Sequence, residues 1–393
     1  MEDAWILSAK RTPIGRFLGA FSKTSVADLG GVAVQAAVAG AGIEPGQVDE
    51  LIFGCARQAG GGPNVARQIV RKSKLPDSVP AFTVNKACAS GLKSIALARQ
   101  SIALGESDLV VAGGVESMSR VPFLLDRQRP GYRMGHAEAI DAMYRDGFLC
   151  PLCGKLMGET AETLAEKYGI PREEQDRYAA ESQNRCEAAR KAGKFRDEIA
   201  PAAGLAADGS TATIEADEHP RDGVTAASLA KLPPVFKAGG TVHAGNSSGI
   251  TDGAAAVVVA SGRKVKELGL TPLARVADVA SAGVDPAIMG IGPVPAIRKL
   301  ESRGGWKLDQ ADLIELNEAF AAQVLACDRE LKMDRARLNV NGGAIALGHP
   351  IGATGARVVV TLLHEMKRRR ARQGLATLCV SGGLGMAMRF ESP

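Results

Sequence analysis

The sequence predicts an α/β fold made of two similar βαβ-rich halves packed together, with a large loop domain inserted into the first. Strand-like and helix-like patterns alternate over roughly the first 118 residues and again from 271 to 393, as expected for sheets covered by helices. The segment FTVNKACASGLKSIALA has a counterpart in LNVNGGAIALGHPIGATGARVVVTLL, and DLVVAGGVESM has one in LATLCVSGGLGMAM, which reads as an internal duplication. Between 119 and 249 the alternation fails.

Taken in order, the first half offers strands at 4–8, 50–54, 81–85 and 107–112, with helices at 25–39, 64–72 and 90–104. In the last of these, Leu92, Ile95, Arg99 and Ile102 recur at spacings of three and four, one face of a helix. The middle holds Pro122, Pro130, Gly131, the segment Cys150-Pro151-Leu152-Cys153, and a helical stretch from 158 to 191 with a start signal at Pro171. A long segment of this kind commonly serves binding or assembly. TDGAAAVVVAS and the helix after it return to the first half. The second half then has strands at 274–280, 313–316, 338–341 and 376–380, and helices at 293–302, 319–331 and 352–369. Each pair of matched segments reads as a strand, a glycine-rich turn and a helix or closing strand. The expected domains are 1–118 plus about 250–270, the insertion 119–249, and 271–393.

Composition narrows the function classes. At 393 residues the chain exceeds what one core usually supports, and 46% hydrophobic against 23% charged residues is ordinary for a globular protein. The 46 glycines with only 4% aromatics point to tight turns and close backbone packing. The net charge of +5 is spread out. Its one dense run, Lys367–Arg370 with Arg372, ends a helical pattern and complements the helix dipole. No nucleic-acid partner is expected. Seven scattered cysteines do not read as a disulfide framework. Met1-Glu2-Asp3-Ala4 leads directly into a strand, leaving no room for a signal peptide, and no apolar run reaches the ~18 residues of a membrane span. The expected location is the cytoplasm.

Cys88 lies where an apolar run meets a helix beginning near Ser90. Free N–H groups of that helix would face the thiol and lower its pKa, while Ala89 and Gly91 add no bulk beside it. Alone, Cys88 would read equally well as a small core residue. It is not alone. In the second half Asn317-Glu318, the turn Gly348-His349-Pro350 and Cys379 each follow or end a strand, and in such sheets ligands bind at strand carboxyl ends.

The motifs KACASGLKSIALA, NEAFA, NGGAIALGHPIGATGAR and CVSGGLGMAM closely resemble those of thiolases, the acetyl-CoA C-acyltransferases. The likeness runs nearly end to end and includes RTPIGRFLGAF, GGVESMS, MGETAE, AGNSSGITDGAA and GVDPAIMGIGPVPA. It implies a thiolase-type fold and reversible CoA-dependent cleavage of 3-ketoacyl-CoA, by a ping-pong route through an acyl-Cys88 intermediate. By resemblance Cys88 is the nucleophile, His349 takes its proton, and Cys379 moves the proton alpha to the thioester with a thiol titrating near working pH. Asn317 would fix a water beside His349, and backbone N–H groups of Cys88 and Ser381 would form a second oxyanion site. The family usually has glycine at 381, so Ser381 is a departure. Arg221 and Ser248 match CoA contacts, and Met157, Met289 and Phe320 match apolar contacts along the pantetheine and acyl end. Leu156 stands where short-chain members often carry histidine.

The resemblance further implies CoA as substrate with no permanently bound cofactor or metal, and a place in fatty acid metabolism such as beta-oxidation. It also implies a dimer through the first-half sheet, doubled to a homotetramer through 121–143. Cys150 and Cys153 lack a second pair at zinc spacing and are expected to have a structural or loop role, and His136, His219, His243 and His364 surface or packing roles. Two other readings stay open. A decarboxylating ketosynthase would need a second histidine or asparagine where this chain offers Cys379. A non-catalytic CoA or lipid binder would be expected to lack one of Cys88, His349, Cys379 and Asn317.

Overall fold

The computed structural model describes residues 2–393. The first half runs β1 (Ala4–Arg11), α1 (Val26–Ala41), β2 (Glu50–Gly54), α2 (Val65–Lys72), β3 (Ala81–Val84), α3 (Ser90–Leu104) and β4 (Leu109–Ser117). The inserted segment carries α4 (Met157–Lys167) and α5 (Arg172–Lys191), separated where Pro171 stops one helix and starts the next. The chain then returns as β5 (Thr251–Ser261). The second half is β6 (Ala274–Gly283), α6 (Pro293–Ser302), β7 (Leu313–Leu316), α7 (Ala321–Leu331), α8 (Ile351–Arg369), β8 (Gln373–Val380) and β9 (Leu384–Glu391).

The strands form one sheet in the order β7-β8-β9-β6-β1-β5-β4-β2-β3, with the two-residue strand Gly15–Arg16 paired to β5. The halves meet at β1 and β6 through only two residue pairs, Trp5 with Arg275 and Ile6 with Ala274. Within each half the order repeats. β2 and β7 pair in parallel with β4 and β8, and these pair antiparallel with β5 and β9. The duplication read from sequence is thus present in the strand order.

Two expected elements differ. The strand at 338–341 is only an isolated bridge between Leu338 and Ile314. Asn339 sits at φ 45°, and its side chain accepts from the Leu316 N–H and donates to the Leu316 carbonyl, each at 2.9 Å. The amide side chain thereby replaces a further strand's ladder bonds. The turn read at Gly113-Gly114 is instead the middle of a continuous β4. Glycine is needed there for proximity: a Cβ on Gly114 would fall 2.0 Å from the Gly352 carbonyl oxygen at the start of α8.

That approach locks the halves together. Helices α3 and α8 pack against one another in a core shared by both, with Leu92, Ile95 and Ala98 against Ala356, Val359 and Leu363. Glu116 at the end of β4 is fully buried and accepts from the backbone N–H groups of Ala56, Arg57 and Gly352 at 2.8–3.2 Å. The inserted segment is tied to β1 by a buried guanidinium, Arg11, which bonds Glu198 at 2.7 Å and Asp217 at 2.6 Å. Charges this deep persist only when paired and hydrogen-bonded.

Candidate active site

Cys88 is presented by a tightly bound turn between β3 and α3. Ser90 Oγ accepts from the Lys86 N–H at 2.8 Å and donates to the Ala87 carbonyl at 2.7 Å, while Asn85 Oδ1 accepts from the Ala87 N–H at 3.0 Å. These bonds hold Ala87 at φ 45°, a region costly for a residue with a Cβ and found where a site over-determines its backbone. The thiol emerges half-buried, with the Ser381 backbone N–H close by and favouring its charged form.

His349 occupies the corresponding turn before α8. Gly348, at φ 96°, allows the bend; a Cβ there would lie 2.3 Å from Thr251 Cγ2. His349 Nδ1 is 2.6 Å from Thr354 Oγ1, and that hydroxyl is also 2.9 Å from the Pro350 carbonyl. The hydroxyl has one proton and gives it to the carbonyl, so Nδ1 must be the N–H partner. Nε2 is left as an unprotonated acceptor. Burial, reinforced by the Arg357 and Arg57 charges, depresses the imidazole pKa to about 3. The ring is neutral at physiological pH.

Cys379 ends β8, fully buried. One cavity of about 400 Å³ brings together Cys88, His349, Cys379 and Ser381 with Leu156, Met157, Met289, Phe320, Ser248 and Arg221. Its walls are apolar. Met157, Phe236, Met289 and Phe320 surround Cys379, with the Phe236 and Phe320 rings edge to face at 6.3 Å. Ala56, Met118, Met143, Phe148, Ile250 and Ile351 cluster about Cys88.

Against known proteins, this arrangement has close counterparts. The family profile for the N-terminal domain of thiolases matches residues 4–263, and that for the C-terminal domain matches 270–392. The chain belongs to the thiolase family. It is 53% identical over 388 residues to an acetyl-CoA acetyltransferase of Pseudomonas aeruginosa, with 99% of each chain covered. It is 51% identical to one of Cupriavidus necator over the full length of both. The crystal structure of human mitochondrial 3-ketoacyl-CoA thiolase superposes with a TM-score of 0.97 at 41% identity, covering 100% of this chain and 99% of that one. The same human enzyme in complex with CoA superposes at 0.95, covering 100% and 98%.

Within this thiolase, three expectations need correction. The Cys88 thiol is not lowered: burial pushes its pKa up, outweighing the opposing pull of the Ser381 N–H and the Arg57 charge. Cys379 is pushed well above the usual thiol value by burial and by its proximity to Cys88. Burial thus favours the protonated form of both thiols. His219, expected to be a packing residue, lines the cavity, with Nδ1 2.8 Å from the Ala346 carbonyl. Asn317, expected to fix a water beside His349, lies outside the residues that line the cavity. It is buried at the end of β7, and both its side-chain amide atoms lack a protein partner.

Nothing in the sequence pattern marks Phe148, Phe236 or Thr354, which look like ordinary core and helix residues, or Arg57, which lies beside a glycine-rich loop. Cys150 and Cys153 are free thiols flanking the turn of a hairpin, Leu149–Cys150 with Lys155–Leu156. Among the described residues no three acidic, cysteine or histidine side chains are grouped to hold a metal ion, and no helix is long and apolar enough to cross a membrane.

Proposed function

We propose that this thiolase cleaves 3-ketoacyl-CoA, and makes it in reverse, through an acyl group carried on Cys88. The supporting observation is the meeting of Cys88, Cys379 and a neutral, tautomer-fixed His349 in one apolar cavity. His349 Nε2 takes the Cys88 proton as the sulfur adds to the 3-keto carbon. The oxyanion is met by the backbone N–H groups of Cys88 and Ser381. The carbon–carbon bond then breaks, its electron pair forming the acetyl-CoA enolate, whose oxygen is met by the imidazolium and a water held by the unpartnered Asn317 amide and whose carbon takes a proton from Cys379. CoA enters and gives its thiol proton to the Cys379 thiolate. Its sulfur attacks acyl-Cys88 while the N–H groups of Cys88 and Ser381 hold the oxygen, and Cys88 recovers its proton from His349. Every proton is returned in one turnover.

CoA is the substrate, and no permanent cofactor or metal enters these steps. Arg221, which is exposed, suits the CoA phosphates; Ser248, Met157, Met289, Phe320 and Leu156 suit the pantetheine and acyl arm. The relatives named acetyl-CoA acetyltransferases support acetyl-CoA as the two-carbon partner. We assign the nucleophile to a domain of 1–118 with about 250–270, His349 and the second cysteine to 271–393, and CoA binding and assembly to 119–249. Phe123, Leu125 and Met134 are exposed in the last of these, consistent with a homotetramer. A cytoplasmic role in fatty acid metabolism completes the reading. Brief incubation with acetyl-CoA followed by peptide mass spectrometry should find the acyl group on Cys88; finding it on Cys379 instead would reverse the assignment.

A further inference from the structure

The cavity contains a buried cation that the steps above do not use. Arg57 lies just past the end of β2, is 9% exposed, and lines the cavity beside Cys88. Its backbone N–H bonds Glu116, but its guanidinium makes no hydrogen bond or ion pair within the protein among the described residues, and its Nε is buried without a partner. The two nearby carboxylates are already engaged. Glu116 accepts from backbone N–H groups of Ala56, Arg57 and Gly352, and Asp146 pairs with Arg145 at 3.0 Å. Gly147 leaves the guanidinium room: a Cβ there would fall 2.6 Å from Arg57 Nε. Elsewhere in this protein deeply buried arginines face carboxylates, as Arg11 faces Glu198 and Asp217. A guanidinium whose nitrogens bond no carboxylate, opening on a substrate cavity, presents free donors to an anion from outside the chain.

The geometry points to Arg57 as the recognition residue for a carboxylate at the far end of the acyl chain, making 3-ketoacyl-CoA thioesters of dicarboxylic acids the favoured substrate class. This rests on the acyl-Cys88 reading. Arg57 borders the apolar cluster Ala56, Met143 and Phe148 that surrounds the Cys88 sulfur, so an acyl group leaving Cys88 along that wall brings its end to the guanidinium. The CoA phosphates are separated from Cys88 by the length of the pantetheine arm and are not candidates.

The test compares kcat/KM for thiolysis of two six-carbon 3-ketoacyl-CoAs, one ending in a carboxylate and one in a methyl group. Both are run on the wild type, Arg57→Gln and Arg57→Lys. Taking the ratio within each protein cancels any loss common to both substrates. The wild type should favour the carboxylate substrate by on the order of 10- to 100-fold, the range of a buried charge-assisted contact. Arg57→Gln should abolish that preference and Arg57→Lys should restore part of it. Equal rates in the wild type, or a preference unchanged in Arg57→Gln, would overturn the proposal. So would chloride or phosphate stimulating both substrates alike, which would make Arg57 a site for a free inorganic anion. If the variants fail to fold, the wild type acylated with succinyl-CoA decides by crystallography: the carboxylate should lie within hydrogen-bond distance of Arg57, and a carboxylate turned to solvent rejects it. Failure to cleave even acetoacetyl-CoA would instead sink the thiolase mechanism itself.

Discussion

The two halves of this thiolase place their reactive groups at equivalent positions and then treat them oppositely. Cys88 stands two residues before α3 and His349 two residues before α8, and these helices pack against each other. In the first half the group is half-buried, on a turn held at a strained φ. In the second it is buried, on a turn relieved by Gly348, with one ring nitrogen committed to Thr354. The strand ends diverge in the same way. Gly54 pairs with Gly114 and Leu316 with Thr377, so Glu116 and Cys379 correspond. Glu116 spends its carboxylate on backbone N–H groups, whereas Cys379 faces the cavity. Duplication supplied two frames; in the proposed mechanism one carries the acyl group and the other moves protons.

The largest effect should follow from emptying the first frame. Cys88→Ala is expected to lower thiolysis by on the order of 10⁴-fold or more and to abolish acyl labelling, since no other group is placed to form the thioester. Residual activity above a hundredth of wild type would break the division of labour. Cys379→Ala should cost less, on the order of 10²- to 10⁴-fold in carbon–carbon cleavage. Acetyl transfer to Cys88 from acetyl-CoA should slow but persist, since there Cys379 only protonates the departing CoA sulfur, and complete loss of that labelling would show that water cannot replace it.

The next effect is a pH dependence. Both thiols are raised by burial and His349 stays neutral down to about pH 3. A raised thiol is protonated at neutral pH, and its thiolate fraction grows about tenfold per pH unit below its pKa. Iodoacetamide inactivation of the free enzyme should therefore climb roughly 100-fold between pH 7 and 9 without a plateau. A plateau below pH 7 would reveal a standing thiolate–imidazolium pair.

Much of this asymmetry was legible in the sequence, and the illegible part has a common cause. Cys88 stands out because it sits where an apolar strand meets small residues and a helix, Cys379 because it closes an apolar strand before a glycine-rich turn, and His349 because of the glycine-rich motif around it. The strand expected at 338–341 failed because Asn339 satisfies the edge of β7 with a side chain, which no alternation of apolar residues reports. The thiol shifts were misjudged because a helix terminus is visible in a sequence, whereas the Met118, Met143 and Phe148 that desolvate Cys88 come from distant segments. Arg57 and Thr354 were missed for the same reason: what matters about them is what they do, or do not, touch.

Thr354→Val isolates the restraint on the second frame. It removes the hydroxyl that fixes the His349 tautomer while keeping the side-chain shape, so kcat should fall about 10- to 30-fold, on the order of 1.5–2 kcal/mol, with KM little changed. A rise in KM with kcat intact would instead make Thr354 part of the binding wall.

The smallest effect should come from the one departure from the family pattern that touches the nucleophile. At Ser381 the group facing the Cys88 sulfur is the backbone N–H, which any residue but proline supplies. The hydroxyl is not hydrogen-bonded to the protein in any way that this contact requires. Ser381→Gly should consequently change kcat/KM by less than about threefold, under roughly 0.7 kcal/mol. Its measurable cost should be in stability. The next two residues, Gly382 and Gly383, already adopt φ 86° and 83°, and a third glycine in succession loosens the unfolded chain further, lowering stability by about 0.5–1 kcal/mol. Thermal unfolding with and without CoA separates the two effects. If Ser381→Gly instead shifts kcat/KM tenfold while leaving the melting temperature alone, the serine hydroxyl itself meets the acyl oxygen, and the second oxyanion site owes more to a side chain than the turn geometry implies.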